Sequence, residues 1–311
     1  MLATKEGLVC RAPAKLNLHF ELIARREDGY HDVETLMVPV SIYDTLYFRK
    51  LPKHSENPDG SEDTKQKGEI HFTMHSCFAK SGSVSQRIPA DQRNLVVQAL
   101  ELLQQRSGTE CGAKVILLKR IPALAGLGGG SSDAAAALKL ANRSWGLQWS
   151  RKQLMDLAKE LGSDVPFFLS RGAAIGRGRG EQIESLCTAG KIYAVVVVPP
   201  DGLSTPDVYR ASQVPTKPRQ IEPAIVALQT GSLRQWSVGG YNRLEHAARV
   251  LSPWIDRIRD AMESVGCPVH QMTGSGSGYF GLCRHLGEAR RMAARLRAQK
   301  IGQVFAVSNV R

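Results

Sequence analysis

The chain has 311 residues, 42% hydrophobic and 23% charged, with 41 Lys and Arg against 29 Asp and Glu and a net charge of +12. Such a chain builds two ordinary cores or one large one, and its composition excludes a disordered, collagenous or coiled-coil protein. Aromatic residues make up only 6% and stand singly, too few for a base-stacking platform on RNA or single-stranded DNA.

The first residues carry Lys5, Glu6 and Arg11 and no apolar h-region, so no secretory signal is expected there. The longest apolar run, Ile192 to Pro200, is far short of the roughly 20 residues that a spanning helix needs. Cys10, Cys77, Cys111, Cys187, Cys267 and Cys283 form no C-x-x-C pair, which argues against a zinc knuckle or a disulfide scaffold. Reduced thiols in a cytoplasmic enzyme are the expectation. The positive charge suits an anionic partner, and only local pattern separates DNA, a membrane surface and a polyphosphorylated small molecule.

Taken in order, Arg11 to Glu21 (RAPAKLNLHFE) alternates, with Ala12, Ala14, Leu16, Leu18 and Phe20 on one face and Lys15, Asn17 and His19 on the other. That predicts a strand with one wet face. After the turn signal Asp28-Gly29, Val33 to Val40 and Ser41 to Phe48 read as two further β stretches. Lys50 to Gly68 is polar and contains Pro52, Pro58 and Gly60, as an exposed insertion would. His71 and His75 lie four apart, but IHFTMH is strand-like, so they do not make a metal site.

Asn94 to Gln105 has helical periodicity, and Ala113 to Arg120 is a short apolar run typical of a buried strand. Between that strand and an Ala-rich helix, Asp133 to Trp145, lies the glycine-rich loop PALAGLGGGSS, Pro122 to Ser132. Glycines let backbone N–H groups approach an anion, and the helix N-terminus behind them adds partial positive charge. The loop lacks the G-K-[ST] ending of a Walker A motif and the G-x-G-x-x-G spacing of a dinucleotide site. Phosphate cradling and a plain capped turn remain the two readings of the loop by itself.

Arg151 to Leu161 is an amphipathic helix with Gly162 at its C-cap, and Asp164 before Pro166 is a natural N-cap. Gly172 to Glu181 reads as a turn between strands, the second being Lys191 to Val198. Turn residues follow from Pro199 to Tyr209, and Pro215 to Pro223 is linker-like. Helices are expected over Glu222 to Gln229, Asn242 to Met262 and Leu286 to Gln299, with a second glycine-serine loop inside Val269 to Leu282 (VHQMTGSGSGYFGL).

An early P-A-K-x-N-L strand, a central G-L-G-G-G-S-S loop and a late M-T-G-S-G-S loop occur in fixed order, and that order resembles the GHMP kinase superfamily. RREDGYHDVET, YDTL, LGSDVPFFL, GRGE and STPDVY are similar to its diphosphocytidyl branch, and the likeness spans nearly the whole chain. It implies an α/β, two-domain GHMP kinase fold. The N-terminal domain, residues 1–175, would resemble ribosomal protein S5 domain 2, and the C-terminal one, residues 176–311, would be ferredoxin-like, with the active site in the cleft between them. It also implies that Lys15 and Asp164 are the catalytic pair, Asp164 taking the proton from the substrate hydroxyl.

By the same resemblance, ATP lies along Pro122, Ala123, Leu124, Ala125, Gly126, Leu127, Gly128, Gly129, Gly130, Ser131 and Ser132, with Mg²⁺ on its phosphates and the protein ligands of that ion unassigned. Leu124 stands where the family commonly has glycine. The other ligand implied is a small-molecule cytidine diphosphate substrate, with Tyr30 stacking on the cytosine, His31 bonding its edge, Asn17 lining the pocket and Tyr209 offering an opposite face. Neither nucleic acid nor membrane is an expected partner. The alternatives are a superfamily kinase for homoserine, mevalonate or galactose, a ligand-binding regulator with the same fold, and a basic nucleic-acid binder. DGYH and LGSDVPFF, the retained lysine and aspartate, and the dispersed arginines speak against them in turn.

Overall fold

The structure is a computed structural model that describes residues 1–4, 7–52, 68–77, 88–187 and 190–310. Residues 53–67 of the polar segment Lys50 to Gly68 lie outside that range. A first sheet is built around two long antiparallel strands, β2 (Gly7–Arg25) and β3 (His31–Leu51), with the short β1 (Leu2–Thr4) at one edge. The two β stretches expected over Val33 to Phe48 are therefore one strand. Bulges between Pro13 and Ala14, Asn17 and His19, and Leu22 and Ala24 bend β2 and re-aim its side chains. β4 (Ile70–Ser76) and β5 (Gly112–Lys119) complete the order β1-β2-β3-β5-β4, with β4 parallel to β5.

Helices α1 (Leu95–Ser107), α2 (Gly129–Ser144) and α3 (Arg151–Leu161) share a core with this sheet, including Leu100, Val115, Leu117 and Phe167. The run Ala134 to Ala137 is wholly buried, and side chains this small let α2 lie close on β2 and β3. Helix α2 begins at Gly129 and not at Asp133, so the last glycines and both serines of the loop form its first turn. Asn94 caps α1 and Ser150 caps α3 through a capping box with Gln153. Asp164 caps no helix; it stands one residue before Val165, which precedes the 3₁₀ turn Pro166–Leu169.

Gly172 to Glu181 contains β6 (Ala174–Arg177), which with β7 (Gln182–Ser185) forms a hairpin on β3. The division expected at 175/176 falls inside β6, and the chain leaves the first sheet after Ser185. The second sheet begins with β8 (Tyr193–Val198) and crosses through α4 (Thr205–Ala211), α5 (Glu222–Thr230), α6 (Leu233–Gly239) and β9 (Tyr241–Asn242), which pairs with β2. It continues through α7 (Glu245–Leu251), α8 (Pro253–Ser264), β10 (His270–Met272), β11 (Tyr279–Cys283), α9 (Leu286–Ala298) and β12 (Gln303–Ser308). The order β10-β11-β8-β12, all antiparallel, is the ferredoxin-like arrangement.

The all-apolar composition of β8 follows from its position. Ala194, Val196 and Val198 join the core shared with Leu16, Leu18 and Val38 of the first sheet, while Val195 and Val197 face the core of α8 and α9. The helix expected over Asn242 to Met262 is broken at Ser252-Pro253, since proline has no N–H to continue it; Ser252 instead caps α8. No helix among the described residues is long and apolar enough to cross a membrane. All six thiols are free, four of them buried.

The expected wet face of β2 is not wet: Lys15, Asn17 and His19 are 3%, 1% and 1% exposed. Alternation marked two environments, but the second is the C-terminal domain and the cleft, not bulk water. Burial holds His19 below its ordinary value near 6.5, against the pull of its bond to the Gly239 carbonyl. The unfolded chain then takes up the proton first as pH falls, so stability present above about pH 6.5 is lost below it. His31 and His270 are shifted the same way by burial. We expect the thermal midpoint to drop between pH 7 and 5 and the drop to be shallower in His19→Gln; an unchanged slope would leave the dependence to the other two histidines.

Candidate active site

The two glycine-rich loops meet where the domains join. Ser277 N–H donates to the Leu124 carbonyl at 3.3 Å and Gly278 N–H to that of Ala125 at 3.1 Å. A Cβ on Gly126, whose φ is +65°, would fall 2.1 Å from the Thr273 carbonyl oxygen, so only glycine allows this approach. Leu124 has a φ of 53°, the left-handed conformation that the glycine usual at this position adopts freely. Leu124 thus enters the loop in a backbone conformation that glycine favours while carrying a side chain there.

Below this junction lies a cleft of about 1440 Å³ lined by both domains. Lys15 N–H donates to the Leu127 carbonyl at 2.9 Å, which ties β2 to the central loop. A Cβ on Gly128 would press at 3.0 Å on Lys15 Cγ, so the lysine stem packs directly on the loop. Its ammonium lies 3.5 Å from Asp164 Oδ2, and the Asp164 side chain, about a third exposed, opens to the cleft. Gly128 caps α2 in the left-handed conformation. The amides of the first turn, Gly129 to Ser131, have no intrahelical acceptor and face the cleft end of the helix, as an anion site requires.

Tyr30, His31 and Tyr209 line the same cleft. The rings of His31 and Tyr209 are 5.5 Å apart and tilted by 40°, Phe20 meets Tyr209 edge-on at 6.4 Å, and the Arg179 guanidinium lies 5.1 Å from the exposed Tyr30 ring. Burial and the Asp164 carboxylate push the Tyr209 phenol well above its ordinary range, so it stays a neutral donor. Two expected site residues are not on the wall. Asn17 is buried behind Lys15 and accepts from its ammonium, and the buried Ser132 hydroxyl has no partner in the protein.

Sequence reading missed the buried trio beneath the loop, in which Lys119 bonds Asp44 and, at 2.8 Å, Asp133. Asp44 also accepts the N–H groups of Arg120 and Ile121. Burial lowers the Lys119 ammonium's affinity for its proton, and the two carboxylates more than reverse that, for a net rise. Burial raises Asp133 well above the carboxylate range. These partners lie 75 and 14 residues from Lys119, a separation that local patterns do not bridge. Asp44 belongs to the YDTL motif, which was the only trace of it in the sequence.

Among the described residues no group of three or more His, Cys, Asp or Glu is arranged to hold a metal ion. The free helix-start amides of Gly129 to Ser131 at the cleft end of α2 fit a nucleotide's phosphates.

The chain matches the family model for the GHMP kinase N-terminal domain over residues 94–172 and that for the C-terminal domain over residues 224–302, and it is a GHMP kinase by fold. A 4-diphosphocytidyl-2-C-methyl-D-erythritol kinase of Pelotomaculum thermopropionicum is 36% identical, the match covering 92% of each chain. The kinase of that name from Bacillus subtilis is 34% identical over 96% of this chain and 95% of its own. A crystal structure of 4-(cytidine 5'-diphospho)-2C-methyl-D-erythritol kinase superposes with a TM-score of 0.78 at 33% identity, covering 97% of this chain and 99% of that one. A homoserine kinase from Cytophaga hutchinsonii, 18% identical with a TM-score of 0.70, shares the fold. The chain belongs to the 4-diphosphocytidyl-2-C-methyl-D-erythritol kinase family.

Proposed function

We propose that this chain transfers the γ-phosphoryl group of ATP to the 2-hydroxyl of 4-diphosphocytidyl-2-C-methyl-D-erythritol, a step of the non-mevalonate route to isoprenoid precursors. The observation that carries the reading is the Lys15 and Asp164 pair, 3.5 Å apart, set in one cleft with an anion cradle and a cluster of aromatic and imidazole rings. Phosphoryl transfer asks the protein for little covalent chemistry and much positioning.

In this reading Asp164 accepts the hydroxyl proton as the substrate oxygen bonds the γ-phosphorus and the bond to the β,γ-bridging oxygen breaks. Lys15 balances charge on the transferring group from a fixed position, since its stem is packed against Gly128 and its ammonium is bonded on the far side by Asn17. The amides of Gly129 to Ser131 and the Ser131 hydroxyl hold the triphosphate, with Pro122 to Leu127 forming the loop wall. Mg²⁺ on the phosphates would supply charge neutralisation, and of the buried oxygens without a protein partner at the start of α2, Asp133 Oδ1 is the one whose residue lines the cleft. Tyr30, His31 and Tyr209 take the cytosine, with His31 and Tyr209 already at stacking distance from one another. The net charge of +12 suits two polyanionic ligands, and free thiols suit a cytoplasmic location.

The test is ATP consumption with Mg²⁺ and the cytidyl substrate, run beside homoserine, mevalonate and galactose. Turnover is expected on the cytidyl substrate alone. Turnover on another acceptor would overturn the substrate, and silence on all four would overturn the kinase reading in favour of a regulator.

A further inference from the structure

From the cleft wall, which Lys15 and Thr35 line, a chain of buried hydrogen bonds passes through Asn17 behind it and ends at the reacting lysine. The Lys15 ammonium donates to Asn17 Oδ1, Asn17 Nδ2 donates to Thr35 Oγ1 at 2.8 Å, and the Thr35 hydroxyl donates to the His19 carbonyl at 2.7 Å. Thr273, from the C-terminal glycine-serine loop, closes it from the other domain: its hydroxyl accepts the Asn17 N–H at 2.9 Å and lies 3.4 Å from Asn17 Oδ1. Lys15, Asn17, Thr35 and Thr273 are all buried.

The direction of this chain is forced. The His19 carbonyl only accepts, so the Thr35 hydroxyl spends its one proton there and can only accept from Asn17. Asn17 must then turn its NH₂ toward Thr35 and its oxygen toward Lys15. The bulge between Asn17 and His19 places that carbonyl where Thr35 of the neighbouring strand reaches it. An amide in this place orients the ammonium without cancelling its charge, which a carboxylate would do.

We propose that Thr35 is a positioning residue of the kinase reaction, setting the orientation of the Asn17 amide and through it the place of the Lys15 ammonium. The proposal rests on the reading of Lys15 as the group that meets the transferred phosphoryl. Without the Thr35 hydroxyl, the buried Asn17 NH₂ has no acceptor on that side, and the amide is free to turn its NH₂ toward Lys15, where it repels the ammonium. Thr273 adds a second hold from the other domain: by accepting the Asn17 backbone N–H it fixes β2 at this residue while the C-terminal loop is docked, and Thr35 sets the amide.

The experiment compares wild type with Thr35→Val, which is isosteric and apolar, and Thr35→Ser, which restores the hydroxyl. With ATP and the cytidyl substrate, Thr35→Val is expected to lower kcat about 10- to 100-fold with both KM values within about threefold, and Thr35→Ser to recover most of the loss. Thermal midpoints of both variants are measured alongside. A merely structural residue would move the midpoint and leave kcat of the folded fraction near wild type; that outcome, or full activity in Thr35→Val, overturns the proposal. Asn17→Asp provides a second arm if Thr35→Val fails to fold. It keeps an oxygen on Lys15 but adds a negative charge, and is expected to lower kcat at least as far; an active variant would mean that the amide's orientation is irrelevant. A wild-type enzyme inactive on the cytidyl substrate would instead defeat the reading on which the proposal rests.

Discussion

Asp164→Asn is expected to lower kcat by about 10²- to 10⁴-fold while the affinity for ATP stays close to wild type, because removing a general base acts on the transfer step and leaves ground-state contacts in place. Asparagine preserves the shape and one oxygen next to Lys15 but cannot take the hydroxyl proton. The fold should tolerate the change. Asp164 lies in a short turn, its side chain is about a third exposed, and the buried Lys15 ammonium keeps its bond to Asn17 Oδ1. Activity is then lost without loss of protein, and thermal melts beside steady-state kinetics would show the separation. Lys15→Met combined with Asp164→Asn should be little worse than the more damaging single change, since the two residues act as one unit. Turnover near wild type in Asp164→Asn would remove the carboxylate from the mechanism and leave positioning and electrostatics to account for the rate.

What the sequence made legible was local. Period-two alternation found β2, the proline-free apolar run found β5, and the order of two glycine-rich loops found the cradle, because each rests on residues adjacent in the chain. What it misjudged was the far side of β2. Alternation distinguishes two faces but carries no label for what covers the second, so by itself it leaves Lys15, Asn17 and His19 on a wet face, where the structure buries them. Asn17 is expected from the sequence to touch the substrate, and its place behind Lys15 is set by Thr35 and by Thr273, the latter 256 residues away. The break at Ser252-Pro253 was visible as a proline preceded by a good cap, and an apolar periodicity running through it concealed the signal. Leu124 is the opposite case: the departure from glycine is visible in the sequence, and its φ of 53° shows a leucine held in a left-handed conformation where the neighbouring loop fixes the chain through the bonds from Ser277 and Gly278.

The dependence of the site on the junction between the two glycine-rich loops leads to the second large expected effect. Gly126→Ala should destabilise the protein by about 2–5 kcal/mol, summing a left-handed φ that disfavours any Cβ and a clash inside packed structure. The size follows from what the methyl group would meet. Its nearest neighbour would be the Thr273 carbonyl oxygen at 2.1 Å, with the Gly276 nitrogen at 3.3 Å, and backbone has no rotamer through which to yield. Relief requires the C-terminal loop to withdraw, which strains the bonds from Ser277 to Leu124 and from Gly278 to Ala125 and takes Thr273 away from Asn17. Gly130→Ala is the fitting comparison, because its Cβ would meet only Leu95 Cδ1 at 3.6 Å and its backbone is already helical. Denaturant midpoints should therefore fall sharply in Gly126→Ala and barely in Gly130→Ala. Equal midpoints would mean that the loops do not approach as closely as the structure places them, and the route by which the C-terminal domain holds Asn17, and Asn17 holds Lys15, would lose its anchor.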